Sequence, residues 1–185
     1  MIKSGKTLNI MGIGENPYKA VLFIAVLFQN NKPIDELKSK IVEKFGSIDA
    51  AFGPIPFSHS AYYNSEMGAD LQKVYFTFGN YFDRGELAAI KEYTNNLESH
   101  YQDAAGNRTV NIDPGYITRD KLVLASTKDF YHRIYIGNKI FAEVTLHYRH
   151  GAFRFFSWTY PDYKEPGCLA LLEKARAKLV KIIRL

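Results

Sequence analysis

Cysteine is almost missing from this sequence, since Cys168 is the only one among 185 residues. A single thiol excludes an internal disulfide and a zinc site built from several cysteines, and it is typical of a chain in a reducing compartment. Long apolar segments are missing too. The longest unbroken run, Ala20 to Phe28, has nine residues and is too short to span a bilayer as a helix. The first residues contain no leader with a charged and then an apolar part, so we expect a cytoplasmic protein without a membrane partner.

Acidic residues are outnumbered by basic ones, which gives a net charge of +5. Residues 164–185 hold six Lys or Arg against two Glu and so contribute +4 of it. This segment is either a helix with a solvated basic face, the usual role of such a run, or a surface for nucleic acid or an acidic partner. No nucleic-acid-binding motif accompanies it, so nucleic acid is the less favoured partner.

The rest of the composition, with 46% hydrophobic and 15% aromatic residues, is that of a globular chain. We expect residues 1–18 to form a loose lead-in and residues 19–185 to form a single domain. Hydrophobic periodicity predicts strand, helix, strand, strand, helix and strand between Ala20 and Asp113, which is the βαββαβ, ferredoxin-like pattern. Strand-rich runs and a helix from about Glu165 follow. The prediction is an α+β fold with a mainly antiparallel sheet, extended by C-terminal β-hairpins and a terminal helix.

The dipeptide Gly137-Asn138 predicts a two-residue turn between two strands. With that turn His132 faces Glu143, and the pair shares one polar side of the sheet with Thr145 and His147. A second turn at His150-Gly151 places Arg154 opposite His147. A carboxylate beside an imidazole raises its pKa and fixes its tautomer, as acid–base catalysis requires. The alternative is a solvated salt pair that contributes little.

Two further stretches carry polar residues in unusual places. Asn111 and Asp113 precede Pro114-Gly115, where we expect the strand to end in a turn, and both side chains also have a local explanation as turn caps. Residues 158–163, Trp-Thr-Tyr-Pro-Asp-Tyr, join the last strand to the last helix. Basic residues make the same region electropositive and suited to a phosphate or carboxylate: Lys121, Lys128, Arg133 and Arg154. Glu66 and Asp113 are candidate ligands for a divalent metal ion, although no ligand spacing is recognisable.

Several spaced motifs resemble a prokaryotic family, domain of unknown function 4416, from about Lys19 to the C-terminus. The motifs include Tyr62-Tyr63-Asn64-Ser65-Glu66-Met67-Gly68, Val110-Asn111-Ile112-Asp113-Pro114-Gly115-Tyr116, His132-Arg133-Ile134-Tyr135, Glu143-Val144-Thr145-Leu146 and Thr159-Tyr160-Pro161-Asp162-Tyr163. Some members carry a GTP-binding label, whereas this sequence has no complete phosphate loop and no Asn-Lys-x-Asp guanine motif. The resemblance implies that the polar residues of these motifs form a site.

We therefore expect a protein that binds an anionic small molecule, a nucleotide or phosphate ester, in a polar cleft over the C-terminal sheet. In a catalytic version His132 is the acid or base, oriented by Glu143, and whether there is a reaction stays open. Candidate ligand-binding residues are Asn111, Lys121, Lys128, Arg133, Thr145, Arg154, Asp162 and Tyr163. The alternative is a non-catalytic binding or scaffold protein whose basic C-terminal helix contacts nucleic acid or an acidic partner. Self-association through a strand edge is a third hypothesis.

Overall fold

The computed structural model describes residues 19–29, 34–58 and 63–183. The predicted lead-in, residues 1–18, lies outside this range. The strands are β1 (Ala20–Gln29), β2 (Ile48–Pro56), β3 (Leu71–Phe82), β4 (Val110–Ile117), β5 (Lys121–Ser126), β6 (Arg133–Gly137), β7 (Ile140–Arg149) and β8 (Ala152–Phe155). The helices are α1 (Asp35–Phe45), α2 (Asn64–Met67), α3 (Leu87–Glu98) and α4 (Pro166–Ile183).

The strands form one sheet in the order β2-β3-β1-β4-β5-β7-β6, with β8 paired to β7, and neighbouring strands are antiparallel. The first four strands have the ferredoxin-like order, which confirms the predicted βαββαβ unit. The remaining strands extend it through β4. The chain is thus an α+β protein with a mainly antiparallel sheet and a C-terminal helix. Among the described residues, no helix is long and apolar enough to cross a membrane.

Helices cover both faces of the sheet, and this explains why the central strand β1 is apolar throughout. Its even-numbered residues pack with side chains of α1 and α3, namely Leu37, Ile41, Ile90 and Leu97. Phe23 and Ala25 point to the other face and pack with Cys168, Leu172 and Ala175 of α4. A strand buried on both faces is continuously apolar, whereas a strand with one solvated face alternates.

The second long helix, α3, follows a capped turn. The Asp83 carboxylate accepts a hydrogen bond from the backbone N–H of Gly85 at 2.8 Å, and a 3-10 turn leads into the helix. The helical spacing of apolar residues, which continues to Tyr101, predicts a helix that ends near Gly106, but this is wrong, because the helix ends at Glu98. Ser99 Oγ donates to the carbonyl of Asn96, and His100 Nδ1 lies 2.8 Å from the same oxygen, so side chains satisfy the helix end.

The predicted turn at Pro114-Gly115 is also wrong, because both residues lie inside β4. The ladder between β4 and β5 begins at Gly115, so at Pro114 the strand is paired with β1 alone, which is where proline is tolerated. A Cβ on residue 115 would lie 2.3 Å from the Val123 carbonyl oxygen. Glycine is present here because the two backbones approach closely.

The predicted register of the β6–β7 hairpin is wrong by one residue. Asn138 and Lys139, both with positive φ (53° and 60°), form the turn, and Gly137 pairs with Ile140. The turn lies one residue further along than predicted, and a bulge at Ile136 takes up one residue of β6, so the strand pairing shifts by one residue. Arg133, not His132, is the cross-strand neighbour of Glu143.

The second hairpin is as predicted. His150 and Gly151 have φ of 52° and 78°, and Arg154 lies opposite His147. Between these hairpins β7 contains a bulge, because Leu122 pairs with Leu146 and Val123 with Val144. Thr145 is the extra residue. The bulge turns Leu146 toward α4, whereas Val144 packs on the α3 side.

Candidate functional site

A cleft of about 670 Å³ opens where β4 and β5 separate. The two strands are paired only from Gly115 onward, so the start of β4 and the loop after β5 form opposite walls. Side chains from β3, α3 and the segment before α4 complete it. Of the residues predicted from the sequence, the cleft is lined by Asn111, Asp113, Lys128, His132, Arg133, Glu143, Asp162 and Tyr163. Residues far apart in the chain therefore meet in one concave site.

The carboxylate of Glu143 is buried in one wall, with 3% of the residue exposed. Its Oε2 accepts a hydrogen bond from Arg133 Nε at 2.9 Å and lies 2.9 Å from His132 Nε2, and its Oε1 accepts one from Thr145 Oγ1 at 3.2 Å. An ionised carboxylate can only accept hydrogen bonds. In the contact with Glu143, His132 is therefore the donor, through its Nε2–H. The predicted His132–Glu143 contact is present despite the different register.

An aromatic stack holds the His132 ring in place. The ring stacks on Trp158 at 4.8 Å between centroids and 12° between planes, and Trp158 stacks on Phe156 at 4.6 Å and 3°. The indole Nε1 also donates to the Val144 carbonyl at 3.0 Å. Because both faces of Trp158 are covered, Tyr131 and Tyr160, which are 79% and 51% exposed, supply the ring surface at the mouth.

The second nitrogen of His132, Nδ1, is buried and has no hydrogen-bond partner among the described residues. The first, Nε2, faces Glu143. In this conformation neither nitrogen is open to a bound molecule. The arrangement makes His132 a fixed part of the wall rather than an exposed acid or base.

Arg108 connects three elements at the opposite side of the cleft. Its Nε and Nη2 form a bidentate pair with Glu66 of α2 at 2.6 and 2.8 Å, and its Nη1 contacts Glu98 of α3 at 2.8 Å. The guanidinium beside Glu66 lowers the pKa of that carboxyl. Burial raises the pKa of Glu98, and the neighbouring Lys91 and Arg108 oppose this rise. One cation thus joins a half-exposed and a buried carboxylate.

Lys91 of α3 reaches the same region from the other face of the sheet and is 4% exposed. Its Nζ donates to the Ile112 carbonyl at 2.7 Å and lies 3.6 Å from both Glu98 Oε1 and Asp113 Oδ1. Asn111 Nδ2 donates to Asp113 Oδ2 at 2.8 Å. Asp113 is therefore positioned by two side chains at the edge of the cleft.

At the floor, Lys73 of β3 is enclosed by aromatic rings and is 6% exposed. Its Nζ lies 2.5 Å from Asp162 Oδ2, and it is 4.6 Å from the ring centroid of Tyr163 and 5.4 Å from that of Phe57. Tyr75 donates its hydroxyl to the same Asp162 oxygen at 3.0 Å. The Tyr163 hydroxyl is buried and has no hydrogen-bond partner within the described part of the chain.

Four predicted site residues do not line the cleft: Glu66, Lys121, Thr145 and Arg154. Glu66 and Thr145 support it from behind, through Arg108 and Glu143. Lys121 and Arg154 lie on either side of His147 in the sheet, and Arg154 is exposed. Of the four basic residues predicted for this region, only Lys128 and Arg133 therefore line the cleft.

Two basic side chains of the C-terminal helix α4 contact other parts of the same chain. Lys178 forms an ion pair with Asp49 of β2. Arg176 donates to the Arg119 carbonyl at 2.7 Å, and its guanidinium lies 3.3 Å from the centroid of the Tyr148 ring. Lys178 and Arg176 are therefore bound within the molecule rather than simply solvated, and the hypothesis of a nucleic-acid or acidic partner stays a prediction.

A known protein family matches most of the chain. Residues 18–179, which contain every residue of the cleft, match the family described as Domain of unknown function (DUF4416). The chain belongs to the DUF4416 family. No curated protein and no solved structure matches it significantly. For this DUF4416 chain, chemistry has to be argued from the cleft itself.

The two candidate metal ligands each contact other side chains of the chain. Glu66 is paired with Arg108, and Asp113 is held by Asn111 and Lys91. Within the described ranges, no group of three or more His, Cys, Asp or Glu residues could hold a metal ion. Each of these two carboxylates is thus already paired with a neighbouring cation.

Sequence reasoning missed three buried or half-buried cations of the cleft: Lys73, Lys91 and Arg108. Lys73 alternates with apolar neighbours in β3, a pattern typical of a solvated face, but α4 covers that face. For Lys91 the sequence does contain a pattern that could have been used. Lys91, Thr94 and Glu98 follow helical spacing and so share one face of α3, and all three are buried. A polar stripe on a buried helix face indicates paired charges.

Proposed function

We propose that this protein binds a small organic anion, a nucleotide or other phosphate ester, in the cleft between β4 and β5. The observation that supports this most is the convergence of charged side chains from separate elements on a cavity of about 670 Å³. This size is within the range of small-molecule sites. A merely structural network would fill its own interior, whereas here the polar groups surround an open volume.

The charges of the lining are nearly balanced, and Arg108 is also paired with Glu66 and Glu98 behind the wall. The lining includes five Lys or Arg (Lys73, Lys91, Arg108, Lys128, Arg133) and four carboxylates (Asp113, Asp129, Glu143, Asp162). Glu143 and Asp162 are already neutralised by Arg133 and Lys73. An anion at the outer part of the cleft is served by Lys128, which is exposed and lines the wall.

The entrance of the cleft also carries exposed aromatic rings. Tyr131 and Tyr160 line the cleft with most or half of their surface open. A flat ring of a ligand, such as a nucleobase, gains stacking energy against rings of this kind. Trp158 is not available for this, since His132 and Phe156 cover its two faces. Because neither His132 nitrogen is open, binding, not acid–base catalysis, is the activity that the geometry favours.

The test is ligand-induced thermal stabilisation of the purified protein. The panel contains nucleoside mono- and triphosphates, sugar phosphates, phenyl phosphate and inorganic phosphate. A ligand at a concentration of about 100 Kd stabilises the folded state by about 2.7 kcal/mol, which for a chain of this length raises Tm by roughly 5–10 °C.

Two variants, each of which removes one exposed cation, distinguish binding in the cleft from a general effect of surface charge. Lys128→Ala removes an exposed cation that lines the cleft, and Arg154→Ala removes an exposed cation that does not. We expect Lys128→Ala to weaken binding by about tenfold, the effect of one charged hydrogen bond, and Arg154→Ala to leave it unchanged. A panel without any stabilising compound, or equal losses in the two variants, contradicts the proposal.

A further inference from the structure

We propose that Arg133 is a positioning residue of the cleft, which anchors the loop of residues 127–132 and so holds Lys128 at the wall before a ligand arrives. This role rests on the proposed function, in which Lys128 is the outer cation of the binding site. The sequence predicts Arg133 as a residue that contacts the ligand, whereas the contacts in the structure assign it an effect on binding through Lys128.

The loop between β5 and β6 lies outside the strand pairing of the sheet. The ladder of β5 with β7 ends at Ser126, and the ladder of β6 with β7 begins at Arg133. All six residues of the loop, 127–132, line the cleft, and residues 127–131 are exposed. Exposed segments without a ladder open at a low cost in free energy, so a loop that carries binding residues needs an anchor.

The guanidinium of Arg133 supplies this anchor. Its Nη1 donates to the Lys128 carbonyl at 3.0 Å and to Ser126 Oγ at 2.9 Å. The same Ser126 oxygen accepts a hydrogen bond from the Lys128 backbone N–H at 3.1 Å. The peptide groups on both sides of the Lys128 Cα are therefore fixed, one directly and one through Ser126. At the end of the loop the backbone N–H of Arg133 donates to the Phe130 carbonyl at 2.9 Å.

Arg133 is fixed in turn by a buried carboxylate. Its Nε donates to Glu143 Oε2 at 2.9 Å, and 11% of the Arg133 side chain and 4% of the Glu143 side chain are exposed. A guanidinium can serve a carboxylate and a carbonyl together because its donors point in fixed and different directions. The contacts thus run from Glu143 in the wall to Lys128 at its surface. A loop that is ordered before binding raises affinity, since the ligand does not have to order it.

The substitution Arg133→Lys separates the anchor from the charge. The lysine keeps a cation beside Glu143, but its single nitrogen cannot also hold the Lys128 carbonyl and Ser126. The probes are adenosine 5′-monophosphate and phenyl phosphate, with binding measured by calorimetry or by thermal shift. We expect Arg133→Lys to weaken the binding of a probe about tenfold, the effect of one charged hydrogen bond.

A double variant shows whether this loss passes through Lys128. Lys128→Ala leaves no cation for the anchor to position, so the addition of Arg133→Lys to it should weaken binding no further. Losses that multiply to about a hundredfold show that Arg133 contacts the ligand itself, and they overturn the inference. If Arg133→Lys does not fold, Ser126→Ala takes its place, because it removes the oxygen that joins Arg133 to the Lys128 N–H. The expected loss is then about threefold, again absent beside Lys128→Ala.

Proteolysis of the ligand-free protein measures the state of the loop directly. Chymotrypsin cleaves after aromatic residues, and Phe130 and Tyr131 are 57% and 79% exposed in the loop. We expect Arg133→Lys to raise the rate of these two cuts about tenfold, with the fragments identified by mass. Arg176→Lys is the matched control, because Arg176 also donates to a loop carbonyl, that of Arg119, and neither residue lines the cleft. It should change neither cleavage nor binding.

The outcomes distinguish this role from the proposed function. An unchanged cleavage rate in Arg133→Lys, an equal rise in Arg176→Lys, or unchanged probe binding in Arg133→Lys overturns the anchor and leaves the proposed function in place. If neither probe stabilises the unchanged protein, the anchor role fails, and the proposed function fails with it when the rest of the panel is inactive too.

Discussion

Arg108 offers the sharpest test of the electrostatics of the cleft, because one guanidinium serves two carboxylates in different surroundings. We expect Arg108→Ala to destabilise the protein more at neutral pH than at acid pH. The reason is that both partners, Glu66 and Glu98, need the cation only while they are ionised. A purely steric role for the side chain would give the same loss at every pH.

The size of the loss follows from the exposure of each partner. The Glu66 pair is about one third exposed on both sides, and such pairs contribute about 0.5–1 kcal/mol. The Glu98 side chain is 4% exposed, and without Arg108 it retains Lys91 and the Ile112 N–H, so one charged hydrogen bond of about 2 kcal/mol is lost. The sum is about 3 kcal/mol at pH 7.5.

The way in which the stability loss of Arg108→Ala changes with pH follows from the pKa shifts of Glu66 and Glu98. Arg108 lowers the Glu66 pKa below its ordinary value of 4.5, so this stability is present above pH 4.5 and is lost as pH falls through the lowered pKa. Burial raises the Glu98 pKa, and Arg108 opposes the rise. Without Arg108 the folded variant binds that proton at a higher pH, so the variant recovers stability relative to the unchanged protein as pH falls.

The assay is urea denaturation at pH 7.5 and pH 4.0, with the slope against urea checked for constancy. We expect the loss to shrink from about 3 to about 1 kcal/mol between the two pH values. Arg119→Ala is the matched control, since Arg119 pairs with Asp120 and both are at least half exposed. It should cost less than about 0.5 kcal/mol at either pH. An Arg108→Ala loss that is equal or larger at pH 4.0 refutes the reasoning.

Two further predictions concern the backbone of β4 and the lone thiol. Gly115→Ala should cost about 3 kcal/mol in urea denaturation, because the new Cβ would meet the Val123 carbonyl at 2.3 Å; a loss below about 1 kcal/mol would mean that the strands can separate there. Cys168 is fully buried and burial raises its pKa, so a thiol reagent at pH 8 should label the unfolded chain within minutes and the native protein far more slowly. Equal labelling rates would place Cys168 at the surface.

Much of the fold was predictable because local rules and global packing agree in its first half. The apolar run of β1, the helical spacing of α1 and the capped start of α3 each indicate one element, and together they give the ferredoxin-like order. The errors lie where one residue decides a register. Gly137-Asn138 and Asn138-Lys139 are both acceptable turns by composition, and both have positive φ at each residue, so only the pairing of Gly137 with Ile140 distinguishes them.

The cleft was predictable in part, for a different reason. His132 and Glu143 meet because two changes compensate: the register moves by one residue, and the His132 side chain reaches back to the carboxylate from just before β6. Lys73 could not be found by periodicity, since its strand face is solvated or buried depending on whether a helix more than ninety residues later covers it. Sequence patterns describe each element and not the layer that packs on it.

The position of α4 has a consequence for folding during synthesis. This last helix covers the face of β1 and β3 that α1 and α3 leave open, and residues just before it supply Asp162 and Tyr163 to the floor of the cleft. The first six elements of the ferredoxin-like unit therefore leave the ribosome with one apolar face uncovered. Nearly the whole chain has to emerge before that face is buried, so a nascent chain stalled before residue 166 should depend on chaperones and bind no ligand.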